Sequence, residues 1–194
     1  MKNNKTFAVV GMGILTAIVV VLQFFASAIK FGPFSITLVL APIIIGAALF
    51  GPLAGGWLGA VFGAVVLLSG DAATFLAINA PATILVCVLK GALAGLAAGF
   101  VYKLISKKNE TAAVVTAGVV CPVVNTGVFI LGALIFFMDW LKDVGAALGY
   151  GSENIGSTIF LGIVGINFII ELSINLVLST AIVRILNIVK QKNA

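Results

Sequence analysis

From residue 31 to residue 70 the chain carries no charged side chain, a run of 40 residues. A helix crosses the hydrocarbon core of a bilayer with about 20 apolar residues, so this run is too long for one crossing and suits two joined by a tight turn. Phe50-Gly51-Pro52-Leu53-Ala54-Gly55-Gly56 supplies the turn, because glycine and proline together interrupt a helix. The rest of the chain is built in the same way. Apolar residues make up 62% of it and charged residues only 9%, and the mean hydropathy is +1.28. A soluble domain needs far more charge to cover its surface, so the apolar excess is expected to face lipid.

These segments predict an all-α membrane protein, a bundle of six transmembrane helices. The helices are expected at about 7–29, 34–50, 53–69, 81–105, 111–138 and 156–186 of a single integral membrane domain, 1–194. The first follows a basic start, Met1-Lys2-Asn3-Asn4-Lys5, and Ala26-Ser27-Ala28 has the form of a signal-peptide cleavage site. Its apolar run is longer than the roughly 7–15 residues of a signal-peptide core, so it is read as a retained helix. A loop opens at Gly70-Asp71-Ala72-Ala73-Thr74 and ends near Pro81, a residue suited to the first helical position. A longer loop, Asp139 to Ile155, holds Trp140 and Tyr150, which fit an interfacial belt. Six crossings are expected to leave no room for a soluble catalytic or ATP-hydrolysing domain.

Charge orients the bundle. Lys2, Lys5, Lys103, Lys107, Lys108, Arg184, Lys190 and Lys192 gather at one set of helix ends. The opposite loops hold Lys30 and Lys142, together with Asp71, Asp139, Asp143 and Glu153. The positive-inside rule then places both termini in the cytoplasm of a multi-pass protein of the cell membrane. The net charge of +5 is therefore no nucleic-acid footprint, since its basic residues sit at helix ends and form no stripe.

Two charges lie mid-helix, Lys90 and Glu171. Such a residue costs about 2.5–3.5 kcal/mol on the insertion scale, and usually faces the bundle interior or marks a site. Asn167, Glu171 and Asn175 recur every fourth residue, turning only about 40° per step, so they share one helix face. Asn125 and Thr126 follow Pro122 closely, and an interior proline frees a backbone carbonyl. Pro42 is expected to do the same in the second helix. Lys90 and Glu171 either neutralise each other, with the asparagines bridging helices, or serve a ligand; a pair that parts on binding would do both.

Small residues form a second pattern. Gly55, Gly59 and Gly63 recur at every fourth position, as do Gly91, Gly95 and Gly99, and Gly13 with Ala17 makes a weaker pair. Such ridges let helices approach closely, either within the subunit or against another one. The chain has no histidine, which excludes a catalytic triad, an H-E-x-x-H zinc site and a histidine relay. It has no P-loop, and too few mid-membrane acids for a paired-carboxylate site. Cys87 and Cys121 lie in apolar segments without ligand spacing and read as packing residues. No enzyme activity, metal or cofactor is expected.

The runs Lys30-Phe31-Gly32-Pro33-Phe34-Ser35-Ile36-Thr37, Ala41-Pro42-Ile43-Ile44-Ile45-Gly46-Ala47 and Phe50-Gly51-Pro52-Leu53-Ala54-Gly55 resemble the substrate-specific S components of energy-coupling factor (ECF) transporters. The likeness extends through the fourth helix to the polar face of the last. It implies a vitamin or related micronutrient bound from outside for ATP-driven uptake. It also implies a transmembrane coupling subunit (T component) and two cytoplasmic ATPase subunits as partners. Binding would draw on Asn79, Thr83, Lys90, Asn125, Asn167, Glu171 and Asn175, under a cap made of 30–35, 71–79 and 139–154. Docking to the coupling subunit would use Gly13 and Ala17, although the alanine-rich form typical of the family is absent. Lys90 suits a carboxylate and the asparagines suit hydroxyls and amides, so pantothenate is the first expectation, with riboflavin and folate next. The rival classes are a stand-alone small permease or channel working as a homo-oligomer, and an assembly factor with no ligand.

Overall fold

A computed structural model describes residues 4–28, 30–31, 34–35 and 38–193. Helix α1 (Asn4–Ala28) leads to a short antiparallel pair, β1 (Lys30–Phe31) and β2 (Phe34–Ser35), with Lys30 opposite Ser35. Then come α2 (Leu40–Phe50), α3 (Pro52–Leu68), α4 (Ala73–Ile105), α5 (Glu110–Phe136) and α6 (Met138–Ala147). A short α7 (Ile155–Ser157) runs into a π-helical segment, Thr158–Ile163, followed by α8 (Gly165–Asn193). Four stretches are long and apolar enough to cross a membrane: Lys5–Ala28, Ala73–Ile105, Glu110–Phe136 and Asn167–Val189. Val9, Leu53, Leu104, Ile135 and Phe160 are among many large apolar side chains left exposed on these and neighbouring helices. An apolar exterior of that extent is made for lipid, and the protein is membrane-integral.

The second expected helix is shorter than the sequence suggested. Phe34 and Ser35 are strand, and α2 begins only at Leu40. At 11 residues it rises about 16 Å, half the thickness of a bilayer core. It tolerates this because Leu40, Ala41, Ile43, Ile44 and Ala47 are buried, with α3, α4, α5 and α8 packed around it. Pro42 stands in its first turn, where its missing N–H leaves no gap in the ladder; the expected mid-helix carbonyl is not freed. The turn into α3 is made at Gly51, whose φ of 95° only glycine adopts readily.

Helices α3 and α4 lie antiparallel along a glycine seam. A Cβ at Gly59 would strike the backbone carbonyl of Gly91, one at Gly55 that of Gly95, and one at Gly63 that of Cys87. Both glycine ridges are therefore consumed inside the subunit, facing each other.

The expected loop before Pro81 is instead helical. Helix α4 starts at Ala73 and breaks at Asn79, where φ is −152° and ψ is 90°. Proline disfavours the helical ladder behind it, and Asn79 restarts the helix as an N-cap, its Oδ1 accepting from the Ala82 amide at 3.2 Å. The region 139–155 also departs from a plain loop, since α6 occupies most of its first half. The last expected helix is interrupted at Val164, between the π-helical segment and α8. Gly165 lies so close to the Phe160 carbonyl that a Cβ there would collide with it.

Candidate functional site

A cavity of about 110 Å³ lies toward the end of the bundle that carries the α3–α4 turn and the π-helical segment. One water needs roughly 10–15 Å³ on the same measure, so the space suits a small organic group. Its walls come from α1, α3, α4, α5, the π-helical segment and α8, and include Lys90, Asn125, Thr126, Asn167 and Glu171. The mid-membrane residues that the sequence scattered over three helices are thus gathered around one space.

Lys90 reaches the cavity from α4. Its Nζ stands 5.5 Å from the centre of the Phe62 ring and 5.8 Å from that of Phe129. A half-buried cation over an aromatic face gains about 0.5–2 kcal/mol, against about 2.5–3.5 kcal/mol for placing the charge mid-membrane. The rings offset part of that cost and leave room for an anion. Among the described residues Lys90 makes no ion pair, so direct contact with Glu171, one of the two arrangements the sequence allows, is not made.

Glu171, on α8, is 7% exposed, and its Oε1 has no hydrogen-bond partner. Asn125, on α5, is 6% exposed, and its Oδ1 is likewise unpartnered. A buried acceptor left unmade costs about 1–3 kcal/mol, more when charged. Both line the cavity, so a molecule placed there can satisfy them. Pro122 lies inside α5 one turn before Asn125.

Not every expected residue joins them. Asn175 continues the face below the cavity without lining it; its Nδ2 donates to the Glu171 carbonyl at 2.8 Å, and its Oδ1 is buried and unpartnered. Asn79 and Thr83 serve the α4 break, with Thr83 Oγ1 donating to the Asn79 carbonyl at 2.8 Å, and neither lines the cavity. Gly13 and Ala17 are exposed on α1, and a Cβ at Gly13 would meet nothing within 4 Å. Lys2, Gly32, Pro33, Ile36 and Thr37, and the side chains of Lys30, Phe31, Phe34, Ser35, Lys190 and Lys192, lie outside the described residues.

The structure adds residues that sequence reasoning passed over. Gln23, on α1, is 2% exposed and donates from Nε2 to Asp71 Oδ2 at 2.7 Å, and both side chains line the cavity. A glutamine inside an apolar helix was a readable signal, but no second amide lies one turn away from it, the spacing that marks the asparagines. Phe62, Phe75, Phe129 and Phe168 complete the aromatic wall. Phe75 also meets Phe129, Phe137 and Trp140 at ring distances of 5.8, 5.0 and 4.7 Å, which ties α6 to the cavity. Among the described residues no cluster of metal-ligating side chains occurs.

The family model described as "ECF transporter, substrate-specific component" matches residues 7–183. No curated protein and no solved structure matches the chain.

Proposed function

Because the chain belongs to the substrate-specific components of ECF transporters, we propose that it captures a vitamin from outside the cell in the cavity around Lys90 and Glu171. Members of this family are transporter subunits rather than enzymes, and they supply the substrate specificity of an importer driven by an ATPase module. The observation that carries the site is the convergence of Lys90, Asn125, Asn167 and Glu171 on one cavity. Polar groups so deep in an apolar bundle are costly and are retained for a ligand or a pathway.

In this reading α1, α2, α3, α4, α5 and α8 make six crossings, with both termini cytoplasmic and the cavity facing outward. The basic helix ends support that orientation. The short α2 fits because its central residues are packed against α3, α4, α5 and α8. Gly13 and Ala17, both exposed, with open space where a Cβ at Gly13 would stand, offer α1 to the transmembrane coupling subunit. Two cytoplasmic ATPases complete the assembly.

Pantothenate is the preferred substrate: its carboxylate suits Lys90, and its amide and hydroxyls suit Asn125, Asn167 and Glu171. Riboflavin and folate are the competitors, since the phenylalanine walls also suit a flat ring. A thermal-shift panel of B vitamins on the purified chain tests the reading. A ligand at 100 times its dissociation constant stabilises the fold by about 2.7 kcal/mol, which moves the melting curve. No shift with any vitamin, from a folded sample, would remove the assignment.

A further inference from the structure

Resting on that reading, we infer that the ligand bridges two unlike ends of the cavity which the protein holds apart: it carries an anionic group for Lys90 and N–H or O–H donors for the buried oxygens of Glu171 and Asn125.

The two ends of the cavity lack complementary things. Lys90 has three N–H donors, and what the structure sets beside its Nζ is the pair of phenyl faces of Phe62 and Phe129. It lacks an anion. Glu171 Oε1 and Asn125 Oδ1 are buried acceptors without partners, and both residues are more than nine-tenths buried. They lack donors. Attraction between a cation and a carboxyl group weakens as they separate, so groups meant only to satisfy each other would be in contact. Here the space between them is open, and Lys90, Asn125 and Glu171 line it together. A neutral ligand satisfies one end and leaves the other bare, and so does a simple anion without donors. A molecule with an anionic group at one end and donors at the other satisfies both.

The test is a calorimetric titration of wild type, Lys90→Gln, Glu171→Gln and the double variant. The probe is whichever of pantothenate, riboflavin and folate the wild type binds. Ligand-free melting temperatures check that each variant is folded. Each single variant should weaken binding about ten- to hundredfold, the scale of a hydrogen bond to a charged group. In the double variant the two losses should multiply, because each residue meets a different part of the ligand. For pantothenate, the analogue pantothenol, with a hydroxymethyl in place of the carboxylate, provides a check that needs no folded variant. It should bind wild type as weakly as pantothenate binds Lys90→Gln, and lose nothing more in that variant.

Unchanged affinity in both single variants overturns the bridging inference, as does a double variant no worse than the weaker single one. Riboflavin as the vitamin bound, since it has no anionic group, overturns it too, while leaving the vitamin-binding subunit standing. A folded wild type that binds none of the three overturns the parent reading and the inference with it.

Discussion

Two small-residue motifs that look alike in the sequence meet opposite fates in the fold. Gly55, Gly59 and Gly63 press against Gly95, Gly91 and Cys87 so closely that no Cβ fits between α3 and α4. Gly13, with Ala17 one turn on, lies on an exposed face of α1 where a Cβ at Gly13 meets nothing within 4 Å. Spacing alone shows that helices can approach closely there; only the packing shows whether the partner is already present. The glycine seam makes a stiff α3–α4 unit that sets Phe62 on one helix and Lys90 on the other beside the cavity. The α1 face leaves a surface to be covered by lipid or by another subunit.

Changes that fill the two motifs should break this comparison in different ways. The largest effect is expected from Gly59→Leu, whose side chain must displace the Gly91 backbone. Overpacking at a site that cannot yield should cost about 3 kcal/mol or more. Size-exclusion chromatography and a melting curve should report loss of monodisperse, folded protein; a stable variant would mean the seam is looser than it stands here. Gly13→Leu should behave otherwise, with melting temperature and vitamin affinity unchanged and uptake falling at least tenfold in proteoliposomes holding the coupling subunit and ATPases. Full uptake with an intact assembly would take α1 off the docking surface. The smallest effect belongs to the contact between the two regions. Trp57 Nε1 donates to Thr16 Oγ1 at 3.4 Å on an exposed face, and Thr16→Val should cost no more than about 0.5 kcal/mol. A larger loss would show that α1 is held to the seam more firmly than this one bond.

The membrane character and the turn at Gly51 were legible because each follows from a local rule: apolar length, and the backbone freedom of glycine. So was the shared face of Asn167 and Glu171, which rests only on helical periodicity. What failed depended on context. The sequence showed Pro81 as a helix start, and the chain does restart there with Asn79 as its cap, yet the stretch from Ala73 to Ile78 before the break is helical as well. Asn79 and Thr83 bond to the backbone at the α4 break, an engagement that spacing does not record. Nothing in an apolar run distinguishes Phe62 or Phe129, which wall the cavity, from Phe100, which is 55% exposed. The interruption at Val164 arises from the π-helical turn packed against α6, a tertiary relation that periodicity does not record.

The measurement that bears most directly on the central claim is a crystal structure of the chain with the vitamin that shifts its melting curve. Ligand density is expected inside the cavity, with an anionic group within hydrogen-bond distance of Lys90 Nζ and a donor on Glu171 Oε1. Density at another place, with the space between Lys90 and Glu171 unfilled, would contradict the account.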